Sequence, residues 1–167
     1  QLVRGQYARA LSRQPQGWRL ALKMMAEEKP LLRYVLRDLL VNNITELTRK
    51  ELDYWRERLR HEDHLLLVDI ALELLVQGSN DEAEKWAQAL PDFITSPDAR
   101  RIFGQSQLNS GNYGESLRVF RELYDEDANP LNTYWYGRAL LLNGDYELSI
   151  VILKQAVDTT TQARAWY

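Results

Sequence analysis

Two histidines, His61 and His64, flank Glu62-Asp63 and are the residues best suited by type and spacing to hold a metal. On a helix they would stand about one turn apart, and zinc accepts imidazole nitrogen and carboxylate oxygen in a tetrahedral set. The spacing is three, not the four of a His-Glu-x-x-His zinc helix, and no further ligand lies nearby. The chain has no cysteine, so thiolate sites and disulfides are excluded. The pattern reads better as a polar junction in which Asp63 caps the next helix, with no metal. The acidic run Asp125-Glu126-Asp127 resembles a carboxylate pair. It falls at a helix end, where it opposes the dipole, and is expected to be a solvated loop. Asn43-Ile44-Thr45 matches a glycosylation acceptor at the level of chance. No glycine-rich phosphate loop, nucleophile elbow or Cys/His pair occurs. These residues predict a protein that is not an enzyme, with no catalytic residue, cofactor or metal.

The 167 residues can bury a sizeable core, and no apolar run approaches the ~18 residues of a membrane span. The chain opens at Gln1 and closes at Trp166-Tyr167 within an apparent new helix, so it is expected to be part of a longer protein. Its net charge of -3 hides a polarity. Residues 1–60 hold thirteen Lys/Arg against seven Asp/Glu, and residues 61–167 hold eight against seventeen. Such polarity can orient a domain on a membrane or a partner; the plainer reading is two solvated surfaces that differ.

The elements that position everything else follow from Gly78, Gly111 and Gly144, spaced 33 residues apart. They precede Ser79-Asn80, Asn112-Tyr113 and Asp145-Tyr146. A fixed period of this length signals stacked copies of one supersecondary unit. Units starting at 64, 97 and 130 align Ile70-Ala71, Phe103-Gly104 and Tyr136-Gly137, a large residue and then a small one that admits a neighbouring helix. After each glycine, a second helix aligns Ala83, Ser116 and Ser149. Ala87, Phe120 and Leu153 follow, then Leu90, Leu123 and Ala156, so offsets of four and three keep one face buried. Ser96-Pro97 and Asn129-Pro130 each place a cap before a proline at the first helical position. Ser79 and Glu82 have capping-box spacing, and the glycines suit left-handed helix ends.

These columns resemble the tetratricopeptide repeat (TPR) family over residues 64–167. The resemblance implies an all-α, right-handed superhelical solenoid of antiparallel helix pairs. Its units would be 64–96, 97–129 and 130–162, followed by the start of a further helix, with Trp166 at the family's opening Trp. Departures are the period of 33, Leu67, Arg100 and Thr133 in place of the opening aromatic, and Thr95, Ala128 and Thr161 in place of the closing proline. Ankyrin repeats share the period, but their Thr-Pro-Leu-His signature is missing. Residues 1–63 read as degenerate repeats or helical hairpins that continue the stack. One helix carries Trp18, Leu22 and Met25. Another carries Leu32, Val35, Leu36 and Leu39. A third, opened by a Thr48/Glu51 capping box, carries Leu52, Trp55 and Leu59 inward. Gly5-Gln6-Tyr7 with Ala10 echoes the turn. Arg4, Arg9, Arg13, Arg19 and Lys23 form a solvated face or, on the sharper reading, bind anionic lipid or nucleic acid.

The resemblance further implies a concave partner-binding groove lined by the first helix of each pair. Arg101, Gln105, Asn109, Tyr134 and Arg138 are its candidate polar contacts. Leu65, Val68 and Leu72 form either an apolar groove or a face covered by the preceding helices. Val68 and Leu72 stand where chaperone-binding relatives hold a C-terminal carboxylate with Lys and Asn, so no such clamp is expected. The implied function is a protein-protein interaction scaffold in a larger assembly. The basic-first polarity suits the cytoplasmic side of a membrane, or else the periplasm. One concrete expectation is a bacterial inner-membrane component of Pel-type exopolysaccharide (biofilm) secretion. Alternatives are a self-assembling module or a nucleic-acid-binding helical repeat. The acidic second half argues against nucleic acid, which needs clustered Lys/Arg.

Overall fold

The computed structural model describes residues 6, 7, 10, 11, 14, 17–27 and 33–164, with side chains through 158. The described residues form helices throughout. They are α1 (Gly17–Glu27), α2 (Arg33–Asn42), a 3-10 turn (Ile44–Glu46), α3 (Arg49–Glu62), α4 (His64–Val76), α5 (Asn80–Gln88), α6 (Pro97–Asn109), α7 (Tyr113–Glu126), α8 (Pro130–Asn143) and α9 (Tyr146–Arg164). The predicted starts at 64, 97 and 130 are the first residues of α4, α6 and α8. Their partners α5, α7 and α9 begin 33 residues apart as well.

Caps set this register. Asp63, Ser96 and Asn129 accept hydrogen bonds from backbone N–H groups of the first turns of α4, α6 and α8, at 3.2, 3.4 and 2.9–3.0 Å. At the other ends, Gly78, Gly111 and Gly144 have φ of 79°, 81° and 95°. The N–H of the residue after each glycine reaches back to Leu74, Gln107 and Leu140, all at 2.9 Å. The glycine N–H groups reach Leu75, Leu108 and Leu141 at 3.1–3.3 Å. This is the Schellman closure three times over, and it reverses the chain into the second helix.

The Thr48/Glu51 capping box forms, with Thr48 N–H donating to Glu51 Oε2 at 2.8 Å and Glu51 N–H to Thr48 Oγ1 at 3.3 Å. The box expected at Ser79/Glu82 does not, since the Ser79 side chain makes no cap bond. Glu82 is held instead by Arg56 from α3 and by Lys85. α5 is five residues shorter than α7. Pro91 explains this, because the residue before a proline avoids the helical region.

The expected columns are buried. Ala71, Ala83, Ala87, Ser116, Phe120, Leu123 and Ser149 are all within 1 % of full burial. Trp18, Leu22, Met25, Val35, Leu36, Leu39, Trp55 and Leu59 are buried as well, and Leu52 is partly so. One apolar core runs from Leu11 through α1–α5 to Ile102 and crosses the 63/64 junction without a break. A second runs from Leu108 to Ile152. Between them lies a polar seam. Glu84 of α5 accepts from Ser106 Oγ and from Gln107 Nε2 at 3.1 Å. Asn80 pairs with Asn109 and Ser110 beside it. At the next joint, Leu117 takes the place of Glu84 and packs into the second core.

Candidate partner-binding surface

The first helices α4, α6 and α8 carry the residues assigned to the groove. From α4, Leu65 and Leu72 are exposed, whereas Val68 is half-buried against the first core. From α8, Leu131, Tyr134, Leu141 and Leu142 are exposed at 41–50 %. Between these apolar rows, α6 offers a polar one. Asp98, Arg101 and Gln105 are half-buried, and Asn109 is exposed.

The polar residues are already organised. Arg101 binds Asp98 one turn back and donates from Nη1 to Asn132 Oδ1 at 3.3 Å. Asn132, 2 % exposed, donates in turn to the carbonyls of Leu123 and Asp127, at 3.1 and 2.9 Å. Arg101 thereby ties α6 to α8, and its guanidinium stands at the surface already oriented. Asn109 Nδ2 donates to Asn80 Oδ1 at 3.2 Å. Arg138 lies 5.1 Å above the Trp135 ring, whose other neighbours are Tyr134 edge-on at 5.2 Å and Phe120 stacked at 5.6 Å. A cation over an indole face is attracted by its quadrupole, so Tyr134, Trp135 and Arg138 form one aromatic–cationic platform. Trp135 and Asn132 were not singled out from the sequence. The signal for Trp135 was its place between two groove residues, and Asn132 carried none.

The other chemically suggestive residues have structural roles. His61 Nε2 lies 2.9 Å from Glu57 Oε1 on the exposed side of α3, and Asp63 caps α4. Among the described residues, no three His, Cys, Asp or Glu side chains gather as a metal site would require. The acidic run is exposed at the end of α7, as expected, but its first two residues are still helical and all three have partners. Glu126 is gripped by Arg100 at 2.7–2.8 Å, Asp125 faces Arg121 at 3.8 Å, and Asp127 accepts from Asn129 at 2.8 Å. Arg100 arrives from α6 and binds both carboxylate oxygens of Glu126, which offsets the unfavourable placement of that charge at a helix C-terminus. Asn43 donates its side-chain N–H to the Leu39 carbonyl at 2.8 Å, which occupies the atom a glycan would take.

The basic first half is largely paired. Arg19 bonds Glu51 at 3.1 Å and the Glu46 carbonyl at 2.8 Å. Arg33 reaches Asp63 and Asp69 at 3.1 and 3.3 Å, and Arg56 reaches Glu82. These last pairs join the basic half to the acidic one. Arg4, Arg9, Arg13, Gly5, Leu32 and Trp166 lie outside the described residues. No helix among the described residues is long and apolar enough to cross a membrane.

Comparison with known proteins bears on the fold. No family model matches the chain, and neither does any curated protein. Among solved structures, it resembles a point variant of a kinesin-light-chain-type protein of Podosopora anserina built of nearly identical TPR-like repeats. The TM-score is 0.64 at 11 % identity, over 98 % of this chain and 95 % of that one. The fold is a TPR-like helical solenoid.

Proposed function

We propose that the protein is a non-catalytic scaffold that holds a segment of another protein across α4, α6 and α8. The observation that carries this reading is the layout of those helices. A polar row (Arg101, Gln105, Asn109), in which Arg101 and Asn109 are held by neighbouring side chains, lies between exposed apolar rows from α4 (Leu65, Leu72) and α8 (Leu131, Tyr134). Such a surface suits a segment with apolar anchors on either side of an acidic or amide-rich centre, since buried aromatic and arginine contacts dominate interfaces. The test is affinity capture with the whole protein, repeated with Tyr134→Asp and with Arg138→Glu. Loss of the same captured protein in both variants is the expected outcome. An unchanged set in both overturns the assignment of this face.

The finer reading places the scaffold at a bacterial membrane, on the cytoplasmic or else the periplasmic side, in exopolysaccharide secretion of the Pel type. Its support is the excess of Lys/Arg in residues 1–60. Flotation with vesicles containing anionic lipid should carry the protein upward at low salt. Failure to float removes the membrane-surface part of this reading.

A further inference from the structure

The outer faces of the second helices break their own repeat. In α5, Glu82 and Lys85 form an ion pair at 3.1 Å. In α7, the equivalent Glu115 and Arg118 do the same at 2.7 Å. In α9, 33 residues further on, the same two positions hold Leu148 and Val151, 45 % and 62 % exposed. Ile150, 68 % exposed, holds the position of Glu84 and Leu117 at the stacking joint and is not part of this patch. Stacking a further helix pair onto α9 would not cover Leu148 and Val151. Glu115 and Arg118 remain exposed on α7 although α8 and α9 follow it. The charges around this patch are arranged too. Glu147, Val151 and Lys154 follow one another at four- and three-residue steps, so they form one stripe along the helix. Glu147 and Lys154 are both exposed, and among the described residues neither makes an ion pair.

We propose that α9 pairs with α9 of a second copy of this chain, antiparallel about a two-fold axis beside Val151. The choice of occupant rests on charge and symmetry. The midpoint of Glu147 and Lys154 falls between residues 150 and 151. A two-fold axis there sets Glu147 level with the partner's Lys154, and Lys154 level with the partner's Glu147. The two ion pairs stand about 10 Å apart along the helix, given a rise of about 1.5 Å per residue. Between them Val151 meets the partner's Val151, with Leu148 on the flank. A two-fold interface requires a patch that complements itself, and this one does in both charge and apolarity. One helix pair is a small contact, so the dimer is weak and forms in the micromolar range.

Sedimentation equilibrium of the whole chain over rising concentration tests the proposal. The wild type should shift from monomer to dimer. Leu148→Glu/Val151→Arg, which restores the ion pair of α7 at exposed positions, should stay monomeric with an unchanged melting curve. Glu147→Lys and Lys154→Glu should each weaken the dimer by roughly tenfold. Mixed together, they should form a heterodimer, because each Lys then faces a Glu. A wild type that stays monomeric throughout overturns the proposal, as does a Leu148→Glu/Val151→Arg variant that still dimerises. A mixture no tighter than its components overturns the two-fold register.

Discussion

At Gly104 and Gly137 the missing side chain is what lets the helix pairs close. A Cβ on Gly104 would lie 2.8 Å from Phe120 Cζ, and one on Gly137 would lie 2.7 Å from Leu153 Cγ and 3.2 Å from its backbone nitrogen. Where the first helix has Ala71, the opposite column has the small Ala87, so volume is traded across each pair. Gly104→Ala and Gly137→Ala should each cost about 1–3 kcal/mol in urea unfolding, the second more, because backbone cannot swing aside as a ring can. This trade was legible in the sequence as a large–small step facing a small or large residue. The two column serines were less so. Ser149 Oγ donates to the Gly137 carbonyl at 2.9 Å, whereas Ser116 Oγ, equally buried, has no partner. Ser149→Ala should lose about 1 kcal/mol, and Ser116→Ala should be neutral or stabilising, as read from the same urea curves. Residue type cannot distinguish them, since both are serines at the same place in the repeat.

At the scale of elements, caps decide where helices start, and two matching signals had different outcomes. Thr48-x-x-Glu51 closes a reciprocal box, but Ser79-x-x-Glu82 loses its glutamate to Arg56, 26 residues earlier in the chain. Spacing reveals a local bond and is blind to a stronger long-range competitor. Thr48→Ala should therefore cost about 1 kcal/mol, and Ser79→Ala less than about 0.5 kcal/mol, in thermal melts. The Thr48 backbone and side-chain bonds, with Arg19 beside them, hold the Glu51 carboxyl below its ordinary value. A carboxyl lowered in the folded state stabilises it above the ordinary carboxylate range, and that contribution fades as pH falls through the lowered value. The gap between wild type and Glu51→Gln should accordingly narrow on acidification below about pH 4. A gap that does not change with pH would show that the box does not depend on the charge of Glu51.

Over the whole molecule, the core divides at α6, where Glu84 meets Ser106 and Gln107. The two apolar cores should then behave as separate cooperative units, as neighbouring repeats in a solenoid can. Leu123→Ala should raise amide hydrogen exchange from α7 to α9 more than in α2–α4, and Leu59→Ala should do the reverse. A uniform rise would mean that the seam transmits stability fully. The repeat fold was legible because its period recurs in caps, turns and columns together. The continuation of the stack before residue 64 was legible too, but not the contacts that make it, because Arg33, Arg56 and the buried leucines follow no period. The three caps Asp63, Ser96 and Asn129 also have a genetic consequence. Deleting Pro97 through Asn129 would join Ser96 to Pro130 and recreate a serine–proline start, so the joint survives the loss of a unit. Glu84, however, would then face Ala139 and Leu140, the counterparts of Ser106 and Gln107, and would be left half-buried without a donor. The shortened chain should melt at a higher temperature with Glu84→Leu than with Glu84, as circular dichroism would report. One carboxylate thus sets the second unit apart in an array whose joints would let it drop out.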